Sequence, residues 1–414
     1  MLNPVLVRDY DRYDPMQREK YESGKPLFEE QYPLNKALCG MSPNMAAELM
    51  NYAREKGPDV ISLAQGEGCM PTPDFIVDAA AKALKEGKTF YGRPLGLPEL
   101  REEISDYYKR IYGFSNISPE RVFVTTSGSN AMNLTLRAVL NKDDEVVAIT
   151  PIWKNLLGAV ELSDAHVRQV GLTDGPDGWS LDMDKLFAAC NEKTKAILVV
   201  SPSNPTGWMI SAEQIQEILA FARERGIWVI SDEVYGRLVY EGTRALSFLD
   251  YAQDDDLLMV INSFSKTWAM TGWRLGWIVG PAFMDDKIRH ISIYNNLCVA
   301  PFTQYAGIVA LREGEEFIQN QLNLWRKTRD LLMETLGQHP RVHLSKPESS
   351  FYAFFKVDGE PDCIDFCYRL IDEAGVSLAP GITFGDCSKS YIRMSFACSR
   401  AKMEKALDRL VKAL

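Results

Sequence analysis

Lys266 has neighbours that could turn its amine into a nucleophile. It lies between two short apolar runs, residues 257–261 and 275–279, which predict two buried strands. We therefore expect Lys266 to lie on a loop between these strands, close to the cation Arg274. Desolvation and a nearby cation both favour the neutral amine, which is the nucleophilic form. A solvated surface lysine is the alternative interpretation.

Polar and aromatic residues follow four further predicted strands, at residues 122–125, 145–150, 196–200 and 228–231. Predicted helices separate these strands, a pattern typical of a parallel sheet covered on both faces. Ligands bind such sheets at the carboxyl ends of the strands. The residues there that could bind a ligand are Gly128, Ser129, Asn130, Trp153, Asn204, Asp232 and Tyr235.

Each of these groups also has a purely structural interpretation. Residues 127–130 could bind a phosphate through backbone N–H groups at the start of a helix, or only cap that helix. Asp232 follows a buried strand, where a carboxylate is costly unless it is paired. Asn204 could belong to a simple turn, and Trp153 could pack in the core instead of stacking on a ligand.

The residues around Lys266 resemble a known family signature. The string SFSKTWAMTGWRLG, residues 263–276, matches all six fixed positions of SxSKxxxxxGxRxG. That is the cofactor-lysine signature of class I/II aminotransferases, which are pyridoxal phosphate (PLP) enzymes of fold type I in the aspartate aminotransferase superfamily. Five other strings resemble motifs of the same family, in the family's order along nearly the whole chain: GEGCMPTP, YGRPLGLPELR, SNPTG, DEVY and PGITFG.

The resemblance implies roles for individual residues. Lys266 would carry PLP covalently and act as general acid and base, Asp232 would bind the pyridine nitrogen, and Tyr235 the 3-oxygen. The other cofactor-binding residues would be Gly128, Ser129, Asn130, Trp153, Asn204, Ser263, Ser265, Arg274 and Tyr91. The substrate-binding residues would be Gly66, Trp153, Asn204 and Arg393. No metal is expected.

Arg393 lies in an otherwise apolar segment, residues 391–397, which predicts a strand. An arginine in such a strand must face a partner, and its planar fork suits a carboxylate. The resemblance implies that this partner is the substrate carboxylate.

The composition is that of a globular enzyme. The chain has 414 residues, of which 46% are hydrophobic and 25% charged, and a net charge of −10, which argues against nucleic acid or an anionic membrane as a partner. It contains neither an 18-residue apolar run nor a signal-peptide core, so we expect a cytoplasmic protein. Eight scattered cysteines without a CxxC pair, and only four histidines, favour free thiols over a zinc site.

The expected fold is α/β, PLP fold type I. We expect a large PLP-binding domain at residues 58–300, with a mostly parallel sheet covered by helices. A smaller α+β domain would combine the N-terminal arm and helix, residues 1–57, with residues 301–414. Tyr91 matches a family tyrosine that reaches the neighbouring subunit's phosphate, so a homodimer with shared active sites is expected.

The predicted reaction transfers an α-amino group from a neutral or aromatic L-amino acid to a 2-oxo acid. One subgroup of the family binds an acidic side chain through a lysine directly after the phosphate-loop glycine, where this chain has the neutral Ser129. Arg289 and Arg93 could substitute for that lysine. The expected wall residues are Tyr294, Trp153, Phe28 and Tyr32, and an aromatic pocket favours neutral side chains.

Two other functions stay open. A β-lyase, cyclising synthase, decarboxylase or oxidase of the same fold would divert the same carbanion to another product. A non-catalytic regulator on this scaffold is disfavoured by the intact Lys266 and by the lack of an added DNA-binding segment. Gly68 and Cys69 replace the family's usual proline and aspartate, and Ser349 replaces its usual glycine. These departures put the substrate in doubt and leave the chemistry intact.

Overall fold

The computed structural model describes residues 35–41 and 45–414. Its strands, in chain order, are β1 Ile61–Ser62, β2 Val122–Thr125, β3 Glu145–Thr150, β4 His166–Gly171, β5 Thr173–Gly175, β6 Gly178–Ser180, β7 Thr194–Val200, β8 Trp228–Asp232, β9 Leu258–Ser263, β10 Gly276–Val279, β11 Val342–Leu344, β12 Tyr352–Val357, β13 Val376–Ser377, β14 Ala379–Pro380 and β15 Tyr391–Ser395.

The α-helices are α1 Lys36–Gly40, α2 Met45–Glu55, α3 Asp74–Lys85, α4 Pro98–Tyr107, α5 Gly128–Val139, α6 Lys154–Glu161, α7 Met183–Ala189, α8 Ala212–Arg225, α9 Phe264–Thr267, α10 Asp285–Asn295, α11 Pro301–Glu313, α12 Glu315–Thr335, α13 Cys363–Arg369 and α14 Arg400–Ala413. Helices α4 and α13 each continue into a π-helical turn. Within residues 35–41 and 45–414, no helix is both long enough and apolar enough to cross a membrane.

A seven-stranded sheet forms the centre of the fold, in the order β2-β10-β9-β8-β7-β3-β4. Strand β10 is antiparallel to both of its neighbours, and the other described pairs in this sheet are parallel. The predicted α/β class with a mostly parallel sheet is confirmed.

Side chains of the central strands point alternately into two hydrophobic cores. In β3, Val147 and Ile149 pack in one core, and Val146 and Ala148 pack in the other. Both faces of the sheet are therefore covered, which explains why these strands are apolar along their whole length. Because both faces of the sheet are buried, its polar residues lie at the carboxyl ends of the strands.

A second sheet, in the order β11-β12-β15-β14, is antiparallel. Strand β1 pairs in parallel with β13, which joins residues 61–62 to the C-terminal part of the chain. Strand β15 carries Arg393, whose register partner on β12 is Phe354. The division into domains at residues 57 and 300 remains a proposal.

Candidate active site

A cavity of about 420 Å³ lies at the carboxyl ends of β2, β7, β8 and β9. The predicted site residues on its wall are Gly66, Gly128, Ser129, Trp153, Asn204, Asp232, Tyr235, Ser263, Ser265, Lys266, Arg274 and Arg393. Asn130 and Tyr91 are not among the residues that line it. The fold therefore brings most of the predicted residues together at the carboxyl ends of the strands, as expected for a parallel sheet.

Lys266 lies on the one-turn helix α9, directly after β9, and not on a loop as predicted. Ser263 caps this helix, since its Oγ accepts a hydrogen bond from the Ser265 N–H at 3.1 Å. The Lys266 Nζ donates to the Gly66 carbonyl at 2.6 Å. Burial lowers the pKa of Lys266 to about 8, against the opposing effect of the Glu67 carboxylate. The amine is therefore more readily neutral than an ordinary lysine.

Asp232 ends strand β8 with only 7% of its surface exposed. Burial raises the pKa of its carboxyl to about 6, although Oδ1 accepts a hydrogen bond from the Val234 N–H at 3.2 Å. Within residues 35–41 and 45–414, no lysine or arginine forms an ion pair with it. A buried carboxylate in this position fits a ligand that carries a protonated nitrogen.

The loop between β2 and α5 is positioned by close packing. Ser127 caps α5, since its Oγ accepts from the Asn130 N–H at 3.0 Å. A Cβ at Gly276 of β10 would lie 2.8 Å from the Gly128 N, so only glycine lets the strand and this loop approach so closely. Asn130 stabilises the loop, because its Oδ1 accepts a hydrogen bond from the Thr126 N–H at 3.3 Å.

The start of α5 has the features of an anion-binding site. The first N–H groups of a helix have no partner within the helix, and the helix dipole favours negative charge there. Ser263 and Arg274 line the same cavity. The Ser263 Oγ lies 3.0 Å from the Ser265 Oγ, and Arg274 Nη1 donates to the Thr271 carbonyl at 2.6 Å. Together these groups fit a phosphate.

Two tyrosine hydroxyls meet beside Asn204. The Tyr235 Oη lies 3.0 Å from the Tyr352 Oη, and the Asn204 Nδ2 donates to Tyr235 at 3.5 Å. Burial raises the pKa of Tyr235 well above its usual range, so its hydroxyl keeps its proton and can donate. A Cβ on Gly66 would lie 2.5 Å from the Tyr352 hydroxyl, which explains the glycine there.

Arg393 is 5% exposed, and its charge is met by dipoles and aromatic rings. Its Nη1 donates to the Asn204 Oδ1 at 2.9 Å and its Nη2 to the Ala64 carbonyl. Its Cζ lies 4.4 Å from the centroid of the Tyr352 ring. The buried Nε has no partner and no carboxylate pairs with the guanidinium in the described part of the chain. A buried cation in this state fits an anionic ligand.

Several predicted residues lie elsewhere. Tyr91 is 86% and Tyr294 80% exposed, and neither lines the cavity. Arg289 pairs with Asp285 and Asp286 on its own helix, and Arg93 is also outside the lining. Phe28 and Tyr32 lie outside the described residues. The cavity wall also includes Thr383 and Phe384 of the string PGITFG, and residues that the sequence did not indicate, among them Met50, Lys154 and Tyr352.

The arrangement belongs to fold type I of the PLP-dependent enzymes. A partly buried lysine, a buried carboxylate and a helix N-terminus meet at the edge of a mostly parallel sheet, and these groups fit the ring and the phosphate of PLP.

Comparison with known proteins agrees with this class. The family model "Aminotransferase class I and II" matches residues 58–410. A probable aspartate aminotransferase from Methanocaldococcus jannaschii is 32% identical over 376 residues, which cover 89% of this chain and 96% of that protein. The asparagine–oxo-acid transaminase of Streptococcus mutans is 31% identical over 365 residues, 86% of this chain and 92% of the relative.

Solved structures are similar as well. The aspartate aminotransferase of Thermotoga maritima superposes with a TM-score of 0.86 at 32% identity, covering 92% of this chain and 99% of that one. The chain belongs to the class I and II aminotransferase family. It is therefore a PLP-dependent aminotransferase that acts on amino acids and 2-oxo acids.

An Asp232→Asn substitution is expected to stabilise the cofactor-free protein. The pKa is raised from 3.8 to about 6, so the folded state binds a proton more tightly than the unfolded state. The buried, ionised carboxylate therefore lowers the free energy of unfolding. This destabilisation is absent below the pKa of Asp232 in the unfolded state and complete above its pKa in the folded state, where it is about 3 kcal/mol. The Tm of the variant should exceed that of the parent by a few degrees at pH 8, and by about half as much at pH 5.

Asp78→Asn, at an exposed position on α3, is the matched control for the loss of a carboxylate. Added PLP should raise the Tm of the parent more than that of Asp232→Asn, since the variant lacks the carboxylate. If Asp232→Asn were destabilised equally at both pH values, this would contradict the claim that the ionised Asp232 carboxylate destabilises the folded protein.

Proposed function

We propose that Lys266, Asp232 and Arg393 form the reactive centre of this aminotransferase and hold PLP and the substrate between them. One observation carries the proposal: an amine, a carboxylate and a guanidinium share one cavity. Within residues 35–41 and 45–414 none of the three forms a salt bridge with a protein group. Each is instead held by polar or backbone atoms, which suits groups reserved for a ligand.

PLP, when bound, supplies a ring that accepts the electron pair released at the substrate Cα. Asp232 would hold a proton on the ring nitrogen, and Asn204 and Tyr235 would donate hydrogen bonds to the 3-oxygen. Lys266 would take the proton from Cα, a step that its pKa of about 8 supports because part of the amine is neutral near physiological pH.

The remaining wall residues would position the two ends of the cofactor and the substrate. Gly128 and Ser129 at the start of α5, with Ser263, Ser265 and Arg274, would bind the phosphate. Trp153 would stack on the ring, while Arg393 would bind the α-carboxylate in a two-pronged fork. The Nε of Arg393, buried and unpartnered in the described chain, supports this assignment.

We further propose a neutral or aromatic amino donor. Ser129, after the phosphate-loop glycine, brings no charge, and much of the remaining wall is apolar or aromatic, with Met50, Trp153, Leu156 and Phe384 among it. Relatives include an aromatic-amino-acid aminotransferase from Thermococcus litoralis and an alanine aminotransferase from Pyrococcus furiosus. One methylene changes selectivity by only about 1–3 kcal/mol in such pockets, so several neutral donors should react.

A panel of amino acids with 2-oxoglutarate, read by mass spectrometry, tests this proposal. We expect phenylalanine and methionine to give their 2-oxo acids, together with glutamate. A ten-fold or greater advantage of aspartate in kcat/KM over both would contradict the neutral donor. Elimination, cyclised or decarboxylated products would instead identify one of the diverted reactions of the same fold.

We infer a homodimer with shared active sites. Phe90 and Tyr91 are 83% and 86% exposed, and the adjoining Gly92 N–H donates to the Cys298 Sγ at 3.2 Å. Tyr294 is close in sequence to Cys298 and is 80% exposed. Large exposed aromatic residues in a group are typical of an interaction surface, and a second copy of this chain would cover them.

Mixing two inactive variants tests the shared site. Subunits with Lys266→Ala and subunits with Tyr91→Phe should regain activity when combined, because one of the two sites in a mixed dimer then has both native residues. The Tyr91→Phe protein must itself be strongly impaired for the test to apply. Activity no higher than that of the separate variants would contradict a shared site.

The location of the protein is proposed from its thiols. All eight cysteines fall within the described residues, and all are free. Cys363, Cys367 and Cys398 are buried. Free thiols in this number support a reducing compartment, in agreement with the expected cytoplasmic location.

A further inference from the structure

We propose that Tyr352 is a positioning residue that acts through Tyr235. Its hydroxyl donates a hydrogen bond to the Tyr235 Oη and so directs the Tyr235 proton towards the 3-oxygen of the cofactor. The inference rests on the proposed function and deepens it, since Tyr235 is proposed to bind that oxygen. Tyr352 is the first residue of β12 and lines the same cavity, and its hydroxyl lies 3.0 Å from that of Tyr235.

The orientation of the Asn204 amide limits what the Tyr235 hydroxyl can do. Arg393 can only donate hydrogen bonds, and its Nη1 lies 2.9 Å from the Asn204 Oδ1, so the amide oxygen faces Arg393. The amide nitrogen faces Tyr235 instead, and it donates to the Tyr235 hydroxyl at 3.5 Å. Tyr235 therefore accepts a hydrogen bond from Asn204 and has one proton of its own to donate.

The hydroxyl of Tyr352 has one hydrogen-bond partner within residues 35–41 and 45–414, and that partner is Tyr235. Burial raises the pKa of both hydroxyls, so each keeps its proton. If Tyr235 gave its proton to Tyr352, the Tyr352 proton would have no acceptor in the described chain, and the 3-oxygen would lose a donor. The opposite direction, from Tyr352 to Tyr235 to the cofactor, gives each of the two protons an acceptor. Hydrogen bonds in such a chain polarise one another, so the bond from Tyr352 makes Tyr235 a stronger donor.

Close packing holds the Tyr352 hydroxyl in this position. Tyr352 is fully buried, and a Cβ on Gly66 would lie 2.5 Å from its Oη, so the glycine leaves the space that the hydroxyl occupies. The Tyr352 ring packs on the Arg393 guanidinium, whose Cζ lies 4.4 Å from the ring centroid. Because the ring and the hydroxyl have separate contacts, Tyr352→Phe removes the hydrogen bond and retains the packing of the ring.

The test is a pH titration of the absorbance of bound PLP, measured without substrate. A hydrogen bond to the 3-oxygen stabilises its negative charge, and so lowers the pH at which the nitrogen that joins PLP to Lys266 loses its proton. For Tyr352→Phe the midpoint should rise by about 0.3 to 1 pH unit, the effect of one lost neutral hydrogen bond. Tyr240→Phe is the matched control and should leave the midpoint unchanged, because Tyr240 is also buried but its hydroxyl donates to the Ser350 carbonyl at 2.9 Å, outside the cavity lining.

A double-mutant cycle shows whether Tyr352 acts through Tyr235. Tyr235→Phe should raise the midpoint at least as much as Tyr352→Phe does, and the addition of Tyr352→Phe to Tyr235→Phe should change it no further. Equal effects of Tyr352→Phe in both backgrounds, or an unchanged midpoint, would overturn the role of Tyr352. A lower midpoint would also overturn it, because Tyr352 would then accept the Tyr235 proton. Tyr352→Leu serves in place of Tyr352→Phe if the phenylalanine variant does not fold.

The titration does not depend on amino transfer, so the two proposals can fail separately. A parent whose midpoint depends on Tyr352 as described, but which transfers no amino group, would support the role of Tyr352 and contradict the proposed function. A parent that transfers amino groups, while Tyr352→Phe leaves the midpoint unchanged, would overturn the role of Tyr352 alone.

Discussion

Lys266→Ala is expected to reduce the transamination rate by about 10²- to 10⁴-fold, the range of a positioned general acid or base. Lys266 is the lysine whose pKa is lowered to about 8 on the cavity wall, and its Nζ contacts the Gly66 carbonyl at 2.6 Å. In the proposed mechanism, removal of this amine takes away both the covalent attachment of PLP and the group that moves the Cα proton. Single-turnover kinetics with a neutral amino acid would measure the effect.

The exposed Lys287→Ala on α10 is the control for the loss of a lysine. Its rate should equal that of the parent. A Lys266→Ala enzyme that keeps more than a tenth of the parental rate would contradict the assignment of the proton transfer to Lys266.

Arg393→Ala is expected to raise the KM of every amino acid tested. Loss of one partner from a buried, hydrogen-bonded charge pair costs about 2–5 kcal/mol, or roughly 30-fold and more in affinity. The α-carboxylate is common to all the donors, so the effect should not depend on the side chain. The absorbance spectrum of bound PLP should stay normal, because Arg393 is assigned to the substrate and not to the cofactor.

Arg393→Lys separates the contribution of the two parallel guanidinium hydrogen bonds from that of the positive charge. A lysine keeps the charge but cannot form the two parallel hydrogen bonds, so its KM should lie between those of the parent and Arg393→Ala. A loss confined to one amino acid would place Arg393 at the side chain of the substrate instead of its α-carboxylate.

The sequence predicted those site residues that lie at the carboxyl ends of neighbouring parallel strands. Asn204 follows β7 and Asp232 ends β8, and these two strands pair in parallel, so the meeting of the two residues could be predicted from the carboxyl-end rule alone. Lys266 could be predicted from its signature string. The one-turn helix that carries it could not, because four residues are too few to show a helical period.

Contacts between segments that are far apart in the chain could not be predicted from the pattern of the sequence. Tyr352 lies on the second sheet, 117 residues from Tyr235 along the chain, and no periodicity relates the two. Gly276 could be recognised as a signature position, but its packing against the Gly128 N appears only when β10 and the β2–α5 loop are placed together.

Borohydride reduction of the PLP-loaded protein, followed by peptide mapping, tests the central claim most directly. Reduction fixes PLP to the lysine that carries it as a stable pyridoxyl group. We predict a single modified peptide, with the label on Lys266 in the string SFSK. A label on any other lysine, or a reduced protein without a label, would contradict the account.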